Sequence, residues 1–261
     1  MTSALALEML DVEARHDRLL ALARVDLTVR EGEFVCVLGP TGCGKSTLLD
    51  LAAGLKPAYS GQIRCHGKPL VGLNHHASYM FQHDALLPWR TALDNVSLPL
   101  QLRGVNKQDA NQQAACWLRR VGLTDVPDRY PHQLSGGMRK RVALAQALIH
   151  DTSLLLMDEP FAALDAQTRQ AMQQLLLELW GEQRKSVLFV THDLDEAITL
   201  ADRVLVFNAG PASRCIEDIR IPLPRPRDTM SLRKNPESAA LYQRLWHTLG
   251  HLPPATTIAR D

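Results

Sequence analysis

The sequence predicts an α/β fold with a mostly parallel central sheet, an antiparallel β part at the N-terminus and a helical insertion. Three observations carry that expectation. Short, fully apolar runs alternate with helical runs in the second half of the chain, which argues for parallel strands covered on both faces. A glycine-rich stretch, GPTGCGKST (39–47), separates the β-rich run FVCVLG from the helical run KSTLLDLAAGL. The stretch from about 90 to 150 is helical in pattern and interrupts the β alternation. The main domain is expected over 5–225, with a short helical tail over 226–261.

The elements follow in order. LALEMLDVEA and VDLTVREGEFVCVLG read as strands, with Glu31-Gly32 as a turn. KSTLLDLAAGL reads as a helix ending near Gly54, with Pro57 just beyond. QIRCHGK and ASYMFQ read as short strands. DNVSLPLQLRG and NKQDANQQAACWLRRVGL read as helices separated by Gly104, and a further helix covers about 136–149. SLLLMD, SVLFVTHD and RVLVFN are strands, with helices AQTRQAMQQLLLELWG and LDEAITLA between them. After Gly210 the pattern weakens. The proline-rich IPLPRPRD is expected to leave the core, and a last helix to cover about 236–249.

Composition narrows the class. The 261 residues suffice for one large domain with a sizeable core. Hydrophobic residues at 46% and charged residues at 22% fit a soluble globular chain. A net charge of +1 argues against nucleic acid as a partner. The five cysteines are scattered and form no CxxC pair, so neither a disulfide framework nor a zinc site is expected, and a reducing compartment fits. The N-terminal MTSALALEMLDVEARHD lacks the features of a secretory signal, and no apolar run is long enough to span a membrane. Action at a membrane would need a partner.

GPTGCGKST matches G-x-x-x-x-G-K-[ST] in its proper context, after a strand and before a helix. Gly39, Gly42 and Gly44 let backbone N–H groups turn inward around phosphate oxygens, with Pro40, Thr41 and Cys43 between them. The following helix aims its positive dipole end at the same place. Lys45 adds a charge for the β and γ groups, and the Ser46 hydroxyl is a magnesium ligand, with Thr47 beside it. Cys43 is either a thiol activated by the helix end or a small residue that fits the loop.

LLLMDE (154–159) is a buried strand with two carboxylates at its C-terminal end, the edge where open α/β sheets bind ligands. Asp158 is assigned to Mg²⁺, directly or through water, and Glu159 to polarising an attacking water. His192 ends VLFVTHD on the same edge, either as a structural histidine or as a γ-phosphate contact. Gln82 ends ASYMFQ and reaches Mg²⁺ or the water.

GPTGCGKST, Gln82, LSGGM, LLLMDEP, AALD and His192 stand in an order that resembles the nucleotide-binding subunit of ABC transporters, over roughly residues 5–210. The resemblance implies a P-loop NTPase fold, ATP and Mg²⁺ as cofactors, and a homodimer packed head to tail. Ser135, Gly136, Gly137 and Met138 resemble the family signature, which serves a nucleotide held by the partner's cradle. Ser135 is also a good helix cap in its own right. Asp165 resembles the loop that crosses between the two sites, and His16 aligns with the ring that stacks on adenine. Two departures stand out. Met138 replaces a frequent glutamine and cannot make its amide hydrogen bonds, and His16 is a smaller stacking surface than the usual aromatic ring.

HDALLPWRTALDNVSLPLQLRG and DEPFAALDAQTRQAMQQLLLELW are similar to the importer subfamily for nitrate, sulfonate, taurine or a thiamine precursor. That implies polytopic membrane permease subunits, an extracytoplasmic solute-binding protein reached indirectly, and a peripheral location on the cytoplasmic face of the inner membrane. Leu87 and Trp89 are then anchors for a helix of the membrane subunit, or Trp89 packs the insertion onto the sheet. An exporter ATPase and a soluble ABC-type ATPase are the alternative readings.

Overall fold

Alternation of side chains along four short strands builds the centre of the molecule. The computed structural model describes residues 4–17, 19–227, 232 and 234–250. Residues 228–231, 233 and 251–261 of the expected tail lie outside them. The central sheet contains β3 (Phe34–Leu38), β6 (Ala77–Met80), β7 (Leu154–Asp158), β8 (Ser186–Thr191), β9 (Arg203–Phe207) and β10 (Cys215–Arg220). Its order is β10-β9-β3-β8-β7-β6, parallel throughout except that β10 runs antiparallel to β9.

Every residue of β3, β7, β8 and β9 is buried. Successive residues serve opposite faces. Phe34, Cys36, Leu155, Met157 and Phe189 pack into the core on one side, and Val35, Val37, Leu154, Leu156 and Leu188 into the core on the other. This two-sided burial explains why the strands read as continuous apolar runs.

An antiparallel sheet covers the second face. It contains β1 (Leu5–His16), β2 (Leu19–Arg30), β4 (Ser60–Cys65) and β5 (Lys68–Pro69) in the order β2-β1-β4-β5. The helix α1 (Lys45–Ala52) shares that core through Leu48, Leu49 and Leu51. The first face carries the remaining helices: α2 (Ala92–Leu102), α3 (Lys107–Arg120), α4 (Gly136–Leu148), α5 (Ala166–Gln183), α6 (Leu194–Leu200) and α7 (Pro236–Gly250). The first three of these lie between β6 and β7.

Local chemistry sets where these helices start. Thr91, Asn106, Ser135, Asp165 and Asp193 cap α2 to α6, each side chain accepting from a backbone N–H of the first turn. Asn95, wholly buried, accepts from Leu87 N–H at 2.7 Å and donates to the carbonyls of Leu87, Arg90 and Thr91. It fixes the loop before α2 as a rigid platform.

The described part of IPLPRPRD, residues 221–227, does not leave the core. Ile221, Leu223 and Arg227 are buried. Arg227 donates to the carbonyls of Ile198, Ile221, Leu223 and Ala201, and Arg225 to that of Leu200 and to Asp202. These guanidiniums satisfy carbonyls that the end of α6 leaves without partners. Residues 215–220, where the sequence pattern weakens, form the edge strand β10. Its mixed charge suits a strand exposed on one side.

Candidate functional site

The loop from 39 to 44 connects β3 to α1 at the C-terminal edge of the parallel sheet. Gly44 caps α1 with φ 91°, a conformation that costs a Cβ-bearing residue about 1 kcal/mol or more. A Cβ there would also meet Leu22 Cδ2 at 2.8 Å. A Cβ at Gly39 would lie 2.9 Å from Cys43 Sγ and 3.0 Å from Phe207 O. Both glycines are required by conformation or by close packing.

The loop opens onto a cleft of about 510 Å³ lined by His16, Thr41, Gly42, Gly44, Lys45, Ser46, Thr47, Gln82 and Glu159. Leu19, Ala21, Gly210 and Pro211 complete the lining and were not legible in the sequence, because β2 and the turn after β9 reach the cleft only through the fold. The one available signal is that Gly210-Pro211 follows an apolar strand on the ligand-binding edge.

Lys45 is only 5% exposed. Its ammonium donates to Gly39 O at 2.8 Å and Pro40 O at 3.0 Å, and lies 3.8 Å from Glu159 Oε1. Glu159 leaves β7 with φ 40°, in the left-handed region that a glutamate rarely adopts. Its N–H donates to Val190 O at 3.0 Å. Strain of this kind costs about 1–3 kcal/mol and is typical of functional positions. Glu159 Oε2 lies 3.0 Å from His192 Nδ1. Lysine, carboxylate and imidazole thus form one connected row. His16 Nε2 lies 3.0 Å from Thr47 Oγ1, which ties the end of β1 to the loop.

Asp158 is 7% exposed, with the Ser46 side chain among the groups that act on its carboxyl. Burial pushes the Asp158 carboxyl above the usual range, and Glu159 and Asp50 push the same way, against Ser46 and Lys45. Burial likewise pushes the Cys43 thiol up, against Lys45, and its residue is 1% exposed. Cys43 therefore behaves as a small packing residue rather than as a thiolate.

The remaining predicted residues stand apart from the cleft. Gly39, Pro40 and Cys43 form the wall of the loop. Ser135 and Gly136 are exposed at the start of α4, where Ser135 Oγ accepts from Met138 N–H at 3.2 Å. Met138 is half-buried and packs on the core. Gly137 approaches α5 so closely that a Cβ would lie 2.9 Å from Thr168 Cγ2. Asp165 accepts from Thr168 N–H at 2.9 Å, and this bond holds its carboxyl below the usual range. Ser135, Gly136 and Asp165 are exposed, and none of Ser135, Gly136, Gly137, Met138 and Asp165 is among the residues lining the chain's own cleft.

One link was missed. Lys140 is 4% exposed; its ammonium donates to Gln82 O at 2.6 Å and pairs with Asp84 at 2.9 Å. Arg139 pairs with the other Asp84 oxygen at 3.1 Å. The segment after β6 is thereby fixed to α4.

The site offers a glycine-rich loop at a helix N-terminus, a buried ammonium, the hydroxyl and carboxylate oxygens of Ser46 and Asp158, and a second carboxylate beside an imidazole. That set fits a magnesium-bound nucleoside polyphosphate.

Comparison with known proteins agrees. The sequence profile of the family described as ABC transporter matches residues 22–162. The chain is 42% identical to the nitrate import ATP-binding protein NrtD of Synechococcus elongatus, over 85% of this chain and 82% of that protein. It is 44% identical to the taurine import ATP-binding protein TauB of Chromobacterium violaceum, over 86% and 87%. Among solved structures, a dimeric ATP-binding cassette in a post-hydrolysis state, bound to ADP and Pi, superposes with a TM-score of 0.72 and 29% identity. That match covers 82% of this chain and 98% of that one. The fold is that of the P-loop NTPase cassettes.

Proposed function

The chain belongs to the ABC transporter family, and from that premise we propose that it is the ATP-hydrolysing subunit of an importer for a small solute. Nitrate and taurine are the solutes named for two relatives, and the proposed solute class extends to sulfonates and thiamine precursors. The observation that carries this reading is the convergence of Lys45, Ser46, Gln82 and Glu159 on one cleft at the sheet edge.

Each residue has a physical task. The loop N–H groups and the α1 terminus hold phosphate oxygens, and Lys45 carries charge toward the β and γ groups. Ser46, Asp158 and Gln82 hold Mg²⁺, which when bound offsets negative charge on the phosphates. Glu159 takes the proton of the attacking water. His192 orients Glu159 and contacts the γ-phosphate. His16 faces the base. Ser135, Gly136, Gly137 and Met138 serve the nucleotide of a second copy, with Asp165 near the crossing. The exposure of Ser135, Gly136 and Asp165, away from their own cleft, supports this division.

Asp158→Asn separates stability from function. The raised Asp158 carboxyl means that its ionised form costs the fold stability as pH rises through the carboxylate range. In acid, below about pH 4, the cost is absent. The variant is expected to show a higher thermal midpoint than wild type near pH 7, equal midpoints in acid, and no added stabilisation by Mg²⁺ over ATP alone. A lower midpoint at neutral pH contradicts the burial argument.

Among the described residues no helix is long and apolar enough to cross a membrane. The membrane partner is assigned to the platform before α2, where Trp89 is 71% exposed beside the half-buried Leu87. At this position the subunit is peripheral, on the cytoplasmic face of the inner membrane. The test is co-purification of tagged Glu159→Gln from its host with ATP and Mg²⁺. A polytopic membrane protein at about equal copy number is expected. Recovery of the chain alone, or with nucleic acid, contradicts the transport reading.

A further inference from the structure

We infer that Arg169 is a positioning residue that links the outward-facing loop before α5 to the His192–Glu159 pair; the inference rests on the ATPase reading above. Arg169 lies in the first turn of α5. Its Nη2 donates to Leu164 O at 2.9 Å, and its Nη1 to Asp193 Oδ2 at 3.2 Å. Leu164 precedes Asp165, the cap of α5. Asp193 follows His192 and caps α6 with its other oxygen, which accepts from Asp195 N–H at 2.8 Å and Glu196 N–H at 3.3 Å. One guanidinium thus joins two loops that leave different strands.

A second contact, one helical turn further on, makes the join rigid. Gln173 stands four residues after Arg169, on the same face of α5. It is buried and donates to Glu196 Oε1 at 3.2 Å. Glu196 Oε2 accepts from Thr191 Oγ1 at 2.6 Å, and Thr191 Oγ1 accepts from Asp193 N–H at 3.0 Å. Both residues flanking His192 are therefore held from α5. Among the described residues the imidazole itself is held by Glu159 Oε2 alone, at 3.0 Å.

The first turn of α5 also meets the second half-site. Thr168, beside Arg169, is the residue that Gly137 approaches. A second copy pressing on Gly137 or Asp165 bears directly on the turn that holds Arg169. That gives contact at the dimer face a route to the reacting carboxylate of the same chain. The coupling element is the fork of the arginine, which spans two acceptors in a fixed geometry that a lysine lacks.

Magnitudes separate this role from a structural one. The Arg169 and Asp193 side chains are 31% and 29% exposed, and a half-exposed ion pair contributes little to stability. Misplacing reacting groups by about 1 Å costs roughly 100-fold in rate. Arg169→Ala should therefore fold normally, bind ATP with an affinity within about twofold of wild type, and lose roughly 10- to 100-fold in kcat.

The test measures kcat, KM and ATP affinity for wild type, Arg169→Ala, Arg169→Lys, Asp193→Asn and the double variant Arg169→Ala/Asp193→Asn. Asparagine keeps the α6 cap and removes the ion pair. The expected pattern is a fall in kcat with unchanged affinity in each single variant, no rescue by lysine, and a double variant no slower than the slower single. Wild-type kcat in Arg169→Ala, or losses that multiply in the double variant, overturns the inference while the ATPase reading stands. A wild-type chain that hydrolyses no ATP overturns the ATPase reading, and this inference with it.

Discussion

Glu159→Gln is expected to keep ATP binding and to lose roughly 100- to 10,000-fold in hydrolysis, the range that general-base help supplies. The carboxylate is held at three points. Its backbone is fixed by Val190 O, one oxygen faces Lys45 and the other faces His192. An amide has nearly the same shape and can keep the His192 hydrogen bond, so the cleft should retain its form. It cannot take a proton. ATP should then hold the variant in its closed dimeric state, seen as a doubling of mass in light scattering with ATP and a monomer without it. Hydrolysis within about tenfold of wild type contradicts the assignment of Glu159 as base.

The second large effect is expected at Lys45. Lys45→Met keeps the apolar stem and removes the ammonium. Removing one partner of a buried, hydrogen-bonded charge pair costs about 2–5 kcal/mol, or roughly 30- to several-thousand-fold in affinity. Two losses combine: the charge toward the phosphates, and the bonds to Gly39 O and Pro40 O that draw the loop together. A ligand at about 100 times its Kd stabilises its protein by about 2.7 kcal/mol. That thermal shift with ATP should be present in wild type and fall to about a third or less in Lys45→Met. An undiminished shift in the variant contradicts the account of the loop.

Much of the fold was legible because burial on both faces leaves a simple trace. β3, β7, β8 and β9 read as apolar runs since neither side of them meets water. The start of α4 was legible from Ser135, whose side chain acts within one turn, and the structure shows Thr91, Asn106, Asp165 and Asp193 acting in the same way on α2, α3, α5 and α6. What escaped was whatever depends on distant partners. IPLPRPRD reads as a departing linker until Arg225 and Arg227 find the carbonyls at the end of α6. The residues Leu19, Ala21, Gly210 and Pro211 carry no chemistry of their own and gain a place in the cleft only by packing.

The site divides in the same way. GPTGCGKST and LLLMDE state their chemistry locally, through glycines, a lysine and carboxylates at a strand end. The bond from His16 to Thr47, and the contacts of Lys140 with Gln82 and Asp84, join residues that no spacing rule connects. The left-handed φ of Glu159 is equally silent in sequence, since nothing in MDEP demands it. The structure also bears on the thiol of Cys43: a helix N-terminus alone would lower it, and burial raises it.

The account's central claim is that one chain carries two half-sites, a cradle for its own nucleotide and a signature for that of a second copy. Subunit mixing tests it most directly. Lys45→Met disables the cradle and Ser135→Arg blocks the signature, so each variant alone should be inactive. In a mixed dimer one composite site is intact, with Lys45 from one copy facing Ser135 from the other. The account predicts that hydrolysis returns when the two inactive variants are combined and rises to a maximum near equal proportions. Two variants that stay inactive at every ratio, or a Ser135→Arg chain that hydrolyses ATP by itself, would contradict it.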